Sequence, residues 1–130
     1  MRLVALFAVV SMLAACQKAP APPPTPASAP AAQPVAKLPR MVMGQEARAA
    51  VAAGATLLDV RTVDEFQELH LDGAKNVPLH ELGRSLASVP KDKPVVVYCA
   101  VGSRSATAAM MLSRAGYDVL NLGAMANWNQ

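Results

Sequence analysis

Cysteine and aromatic residues are scarce in this chain. Its 130 residues include two cysteines, one tryptophan, two tyrosines and two phenylalanines. The aromatic residues are not interleaved with basic ones, and no run of basic residues occurs. These absences argue against a nucleic-acid partner, although the pI is about 9.1.

The excess of positive charge lies outside the folded part of the chain. The net charge is +3, and it arises from Arg2, Lys18 and Lys37. Removing these three from the 12 basic residues leaves nine in residues 40–130, where they balance all nine acidic residues. We therefore expect no general attraction of this domain to acidic partners. We also expect no metal site, because the methionines at positions 41, 43, 110 and 111 are too scattered to form one.

A hydrophobic run long enough to span a bilayer is also missing. Leu3 to Leu13 is apolar except for Ser11 and follows a short positive start, which is typical of a signal-peptide core. The next residues complete the segment Leu13-Ala14-Ala15-Cys16, which resembles a bacterial lipobox. The resemblance implies that residues 1–15 form a lipoprotein signal peptide and that Cys16 carries acyl chains such as palmitate.

Lipid on Cys16 would anchor the protein to a membrane of the cell envelope, facing the periplasm. Gln17 is not the aspartate that is linked to inner-membrane retention in enteric bacteria, so the resemblance favours the outer membrane. The alternative is an ordinary cleaved signal peptide with an incidental cysteine. Residues 16–39 are rich in Ala and Pro and predict an extended linker of up to roughly 70 Å between the membrane and a domain at residues 40–130.

Cys99 is then the lone thiol of the domain, because a thioether at Cys16 cannot form a disulfide. A free cysteine is a liability in an oxidising compartment, so its presence there suggests a chemical role. The simplest alternative is a buried structural cysteine at the end of a strand. A role in thiol redox chemistry is disfavoured by the lack of a resolving cysteine.

Short apolar runs alternate with helical patterns along the domain, which predicts an α/β fold with a mostly parallel sheet between two layers of helices. Val95 to Tyr98 is the most apolar run, so we expect it to be the central strand. The other predicted strands are 56–60, 74–77 and 118–122, and the predicted helices are 46–53, 65–69, 80–87 and 105–115.

Cys99 lies where the predicted central strand ends and a Gly/Ser/Arg loop leads into a helix. Backbone N–H groups converge at such a junction and stabilise anions and thiolates. Gly102 permits the positive φ that a nest of amides requires. Arg61 follows a neighbouring strand, so it should lie at the same edge of the sheet.

Several segments together resemble the rhodanese homology domain. They are Leu57-Leu58-Asp59-Val60-Arg61 with the acidic-Glu-Phe helix at 64–66, the run His70-Leu71-Asp72-Gly73-Ala74-Lys75-Asn76-Val77-Pro78, Tyr98-Cys99 with its loop, and the Gly-Tyr-Asp-Val strand at 116–119. The resemblance covers residues 40–130 and implies a three-layer fold with a five-stranded sheet. The end departs from the pattern, because Gly123 is followed by Ala124 rather than by a second glycine.

The resemblance implies that Cys99 is the nucleophile of a sulfurtransferase that holds sulfane sulfur as a persulfide. Thiosulfate or a similar anion would be the donor, a thiol or cyanide the acceptor, and no cofactor or metal would be needed. Arg61 and Arg104 would bind the donor together with loop residues, while Asp59 would orient the surrounding loops. The loop residues are Ala100, Val101, Gly102, Ser103 and Ser105. We expect a monomer.

The spacing from Cys99 to Arg104 is Cys-x4-Arg. Related phosphatases of the same fold use Cys-x5-Arg, a wider cradle for tetrahedral phosphate, so the shorter loop favours sulfur transfer. A persulfide carrier or a partner-docking module with little turnover is the main alternative function.

For several residues a structural role is an alternative to substrate binding or catalysis. Arg61 could instead pair with Glu65 or Asp64, since surface ion pairs are common. His70 and His80 suit structural or surface roles, and Tyr98 and Trp128 suit packing.

Overall fold

The structure is a computed structural model that describes residues 37–130. The predicted signal peptide, the lipidation site at Cys16 and most of the linker lie outside the described residues, so those predictions remain untested. Within the described part, no helix is both long and apolar enough to cross a membrane.

Strands and helices alternate along the domain, as the sequence predicts. The five strands are β1 (Arg40–Met41), β2 (Thr56–Asp59), β3 (Lys75–Asn76), β4 (Val95–Cys99) and β5 (Val119–Ala124). The four α-helices are α1 (Gly44–Ala52), α2 (Val63–Glu68), α3 (Leu79–Ser85) and α4 (Ser103–Arg114). Two 3₁₀ turns complete the described chain, one at Leu86–Ser88 and a C-terminal turn at Met125–Asn129.

The strands form one parallel sheet in the order β1-β5-β4-β2-β3. The predicted α/β class is confirmed, and β4 is the central strand as expected. All five residues of β4 are buried. The carboxyl ends of parallel strands lie together, so Cys99 at the end of β4 and Asp59 at the end of β2 lie at the same end of the sheet.

Two apolar layers cover the sheet, one on each face. Side chains alternate along β4, so that Val95, Val97 and Cys99 join the core beneath α3 and α4. Val96 and Tyr98 point to the opposite core, which is closed by α1 and the C-terminal turn. This alternation places the Cys99 side chain on the α4 face, where the loop that follows it returns.

The structure differs from the sequence prediction mainly at the edges. Strand β1 was not predicted, because its two residues are both exposed and too short to show a pattern. It forms through pairing with β5, which runs to Ala124 rather than ending at Leu122. A register shift between Val97 and Tyr98 accompanies this extension, so β5 continues beside Cys99.

Candidate active site

Cys99 is the last residue of β4 and is fully buried. The loop Ala100–Gly102 then turns directly into α4, which begins at Ser103. Gly102 has φ +101°, a left-handed conformation that favours glycine. This turn folds the backbone back over the sulfur, as the sequence predicts for an anion-binding loop.

Two backbone amides at the start of α4 point at the sulfur of Cys99. The N–H of Gly102 donates to Sγ of Cys99 at 3.1 Å, and the N–H of Ser105 donates to it at 3.4 Å. Both donors belong to the start of α4, where four amides have no partner within the helix. The positive end of the helix therefore stabilises negative charge on the sulfur.

Burial and hydrogen bonding act on the Cys99 thiol in opposite directions. Burial raises the pKa of Cys99, whereas the amides of Ser105, Gly102 and Val101 lower it, and the net shift is downward. The thiolate is the reactive form of cysteine, and the lowered pKa increases the fraction of Cys99 that is in this form at neutral pH. The Ser105 hydroxyl adds less to this, because its single proton has carbonyl acceptors on Gly102 and Gly123.

The remaining loop residues occupy different positions around Cys99. Ala100 lines an open groove beside the loop, and Val101 is exposed at the tip. Ser103 starts α4, and its carbonyl accepts a hydrogen bond from Thr107. Hydrogen bonds to the sulfur thus come from part of the predicted set, chiefly Gly102 and Ser105.

Arg104 forms a two-pronged ion pair with Glu65. Its Nη1 and Nη2 atoms each donate to a carboxylate oxygen at 2.7 Å. The same carboxylate accepts hydrogen bonds from the N–H and the hydroxyl of Thr62, which completes a capping box at the start of α2. The Arg104 guanidinium holds the pKa of Glu65 well below its usual range. The guanidinium is therefore fixed in place and its charge is balanced.

Arg61 is paired as well, with Asp59 rather than with Glu65 or Asp64. Nε and Nη2 of Arg61 bond the buried Asp59 carboxylate at 2.7–3.1 Å, and Nη2 also donates to the carbonyl of Leu69. Asp59 and Arg61 are two residues apart at the end of an extended strand, so their side chains leave on the same side. The Asp59 hydrogen bond raises the pKa of Arg61 above its ordinary value.

Arg61 is consequently a buried group of the site wall, with only 5 % of its surface exposed. Nη1 is its one side-chain nitrogen that makes no hydrogen bond to any residue in 37–130. Asn76 braces this region by donating to the carbonyls of Asp59 and Arg61. Asp59 holds the backbone and the guanidinium of Arg61 through hydrogen bonds at the end of β2.

A groove of about 380 Å³ opens beside the loop. Apolar side chains form much of its wall, and His70 and Asn129 are its polar members besides Arg61. The nonpolar lining residues are Leu69, Leu71, Ala100, Met125 and Ala126. Ala100 directly follows Cys99 in the chain, so the groove lies beside the start of the loop, while the Cys99 side chain itself is buried and does not line it.

His70 lines the groove, and Phe66 and Tyr98 contact residues of its wall, whereas His80 lies elsewhere. His70 stacks on Phe66 with ring centroids 4.0 Å apart, and its Nδ1 bonds the Phe66 carbonyl at 2.8 Å. Tyr98 accepts a hydrogen bond from the N–H of Leu71, and its burial raises the pKa of the phenol. His80 lies beside Arg104 in a separate hollow of about 260 Å³.

The sequence profile of the rhodanese-like domain family matches residues 43–130. The chain belongs to this family. Residues 43–130 contain Cys99 with its loop, both arginines and the groove, so the whole site described above lies within the shared domain.

Named relatives include sulfurtransferases of different sizes. The chain is 39% identical over 71 residues to the thiosulfate sulfurtransferase PspE of Escherichia coli, a match that covers 52% of this chain and 68% of that protein. It is 40% identical over 76 residues to the probable adenylyltransferase/sulfurtransferase MoeZ of Mycobacterium tuberculosis. That match covers 55% of this chain but 19% of MoeZ, so the chain corresponds to a small part of that larger relative.

Solved structures show the same fold. A rhodanese-related protein from Thermoplasma volcanium superposes with a TM-score of 0.63 at 30% identity, covering 69% of this chain and 90% of that one. A rhodanese with anions from E. coli superposes with a TM-score of 0.54 at 35% identity, covering 57% and 91%. The three-layer architecture expected from the sequence is thereby confirmed.

Glu65 pairs with Arg104, whereas the sequence suggested it only as one of two alternative partners of Arg61. The Thr62-x-x-Glu65 spacing signals a capping box, and that signal places Glu65 at the N-terminus of α2. It does not reveal that Arg104, 39 positions later, reaches the same carboxylate. Only the fold, which brings the first turn of α4 beside the first turn of α2, joins the two side chains.

Proposed function

We propose that the protein is a rhodanese-type sulfurtransferase in which Cys99 carries sulfane sulfur as a persulfide. The observation that carries this proposal is the pair of amide hydrogen bonds from Gly102 and Ser105 to Sγ. Converging backbone N–H donors can stabilise a thiolate first and then the terminal sulfur of a persulfide, which is also an anion. Membership of the rhodanese-like family and the names of its relatives support the same chemistry.

The reaction has two halves. The Cys99 thiolate attacks the outer sulfur of a donor such as thiosulfate, the sulfur–sulfur bond of the donor breaks, and sulfite leaves with the electron pair. A thiolate or cyanide then attacks the sulfur held on Cys99, and the Cys99 thiolate is released. No net oxidation occurs, so the cycle needs no redox cofactor, and covalent transfer in two steps predicts ping-pong kinetics.

Turnover with thiosulfate and cyanide tests this function. The full chain bearing Cys16→Ser leaves Cys99 as its one thiol, and it is compared with the same chain bearing Cys99→Ser as well. We expect thiocyanate formation that depends on Cys99 and parallel double-reciprocal plots. Equal thiocyanate formation by the two chains would contradict the proposal, and sulfur loading on Cys99 without turnover would favour the carrier alternative.

We further propose that the protein works as a lipoprotein on the periplasmic side of the bacterial envelope. The support is the short hydrophobic run followed by Leu13-Ala14-Ala15-Cys16 and the Ala/Pro-rich linker. Metabolic labelling with palmitate should mark the wild-type chain and not Cys16→Ser, and fractionation should place the wild type with outer membranes. Recovery of unlabelled wild-type protein in the soluble fraction would contradict the anchor.

A further inference from the structure

The two arginines predicted to bind the donor are both neutralised by carboxylates. Arg61 is held by the buried Asp59, and Arg104 is held by Glu65 through two hydrogen bonds of 2.7 Å. Among residues 37–130, no other arginine or lysine lines the groove beside Ala100 or the hollow beside Arg104. The fixed charges of these pairs cancel, and the thiolate leaves the centre negative.

This balance bears on the choice of donor. Thiosulfate is a dianion, and its approach to a thiolate without a free cation is opposed by charge repulsion. A persulfide of an organic thiol, R–S–SH, carries at most one negative charge at its sulfur. Backbone amides, which are the donors found here, are suited to that smaller charge.

The groove supplies a place for the organic part of such a donor. Its volume of about 380 Å³ lies within the range of about 300–1,000 Å³ that is typical of small-molecule sites. Thiosulfate is a small ion that would leave most of this space empty. The wall is mainly apolar, and Leu69, Leu71, Met125 and Ala126 would cover an uncharged body.

Resting on the proposed function, we infer that the preferred sulfur donor is the persulfide of an organic thiol with an apolar, uncharged body, and that this body binds in the groove formed by Leu69, Leu71, Met125 and Ala126. The Cys99 thiolate attacks the terminal sulfur of R–S–SH. The Sγ–S bond forms, the bond between the two donor sulfurs breaks, and R–S⁻ leaves with the electron pair. The proton stays on the sulfur transferred to Cys99 or moves to R–S⁻, so atoms and charge balance.

Loading rates of Cys99 test the inference in the full chain bearing Cys16→Ser. The donors are thiosulfate, the persulfide of N-acetylcysteine and the persulfide of N-acetylcysteine methyl ester, which differ in charge. Intact mass follows the gain of one sulfur with time. Each rate constant is divided by that of the same donor with free cysteine, which removes differences in intrinsic reactivity. We expect the methyl ester to exceed thiosulfate by roughly tenfold or more, the ratio that corresponds to about 1.4 kcal/mol.

A negative charge is introduced in two matched variants, one inside the groove and one outside it. Leu69 and Leu38 are both exposed leucines, at 63% and 78%, but only Leu69 lines the groove. Leu69→Asp should slow loading by the N-acetylcysteine persulfide, whose carboxylate is repelled, more than loading by the methyl ester. Leu38→Asp should leave both rates unchanged. Equal effects of Leu69→Asp and Leu38→Asp would overturn the placement of the donor in the groove.

Glu65→Gln removes the negative charge that balances Arg104. Glutamine retains an oxygen acceptor for Thr62 while leaving the Arg104 charge unopposed. We expect loading by thiosulfate to rise relative to loading by the methyl ester, by roughly three- to tenfold at low salt. A structural defect alone would lower both rates together, so an unchanged ratio would count against the role of the ion pair.

The outcomes separate this inference from the proposed function. If thiosulfate loads Cys99 at least as fast as the methyl ester after normalisation, the inferred donor class is wrong while the sulfurtransferase proposal stands. If none of the three donors adds sulfur to Cys99, the proposed function itself fails.

Discussion

The backbone amide of Gly102 and the sulfur of Cys99 lie 3.1 Å apart, in hydrogen-bond contact. The contact requires the left-handed conformation of Gly102, with φ +101°. A three-residue turn thereby converts the start of α4 into a site for a thiolate. Chemistry at Cys99 thus depends on a backbone conformation as well as on the cysteine itself.

Gly102→Ala should weaken the hydrogen bond from residue 102 to the Cys99 sulfur through backbone strain and not through a steric clash. The added Cβ would lie 3.7 Å from its nearest backbone neighbours, so the space suffices, but the positive φ would cost about 1–2 kcal/mol. We expect the turn to relax and the pKa of Cys99 to rise. Gly116→Ala is the matched control, because Gly116 has φ +87° in open space after α4. It should cost similar stability and leave the pKa of Cys99 unchanged, as read from the pH dependence of alkylation.

The pH dependence of Cys99 follows from the same contacts. The pKa of Cys99 is lowered, so alkylation by iodoacetamide should have its midpoint below about 8.5, the value of a free cysteine. Between the two pKa values the unfolded chain binds more protons than the folded one. The free energy of unfolding should therefore rise with pH in that window, relative to Cys99→Ser, and this contribution should vanish as pH falls through the lowered pKa. A midpoint at or above 8.5 would show that burial outweighs the amides.

Asp59→Asn should be strongly destabilising. It leaves the Arg61 guanidinium buried without its counter-charge, and breaking a buried pair costs about 3–5 kcal/mol. Asp118→Asn is the matched control, since its pair with Lys37 is largely exposed and worth about 0–1 kcal/mol. Urea unfolding of the full chain compares the two. If Asp59→Asn lowered the free energy of unfolding as little as Asp118→Asn does, Arg61 would have found other partners.

Two helical glycines should respond to alanine in opposite ways. A Cβ on Gly44 would lie 2.2 Å from the Asn127 carbonyl oxygen and 2.4 Å from that of Trp128, so the C-terminal turn would have to move. Gly83 has only the end of the Met111 side chain at 3.8 Å. We expect Gly44→Ala to cost about 1–3 kcal/mol and Gly83→Ala to add about 0.4–1 kcal/mol. Because Met125 and Asn129 line the groove, Gly44→Ala should also slow transfer from the methyl ester persulfide.

The position of Cys99 at the end of a central strand and the turn that follows it could be predicted from the sequence because their signals are local. An apolar strand, a cysteine, a glycine and a helix occur in succession, and each part constrains the next. The central position of β4 followed from its uniformly apolar composition, which only a strand buried on both faces requires.

Pairings between distant residues could not be predicted in this way. Arg61 and Arg104 both had carboxylates within reach, and the sequence alone does not tell which arginine takes Glu65. The choice depends on the fold placing the start of α4 beside the start of α2, and on the Asp59 side chain leaving the strand beside Arg61. Strand β1 was missed for a similar reason, since two exposed residues acquire strand structure only through β5.

Sulfur transfer at Cys99 is tested most directly by the intact mass of the Cys16→Ser chain through one cycle of loading and release. Exposure to a sulfane-sulfur donor should add one sulfur atom to the chain, and a thiol acceptor should then remove it. The same chain with Cys99→Ser should gain nothing at either stage. A sulfur gained by the Cys99→Ser chain, or no gain by the chain that keeps Cys99, would contradict the assignment of Cys99 as the sulfur carrier.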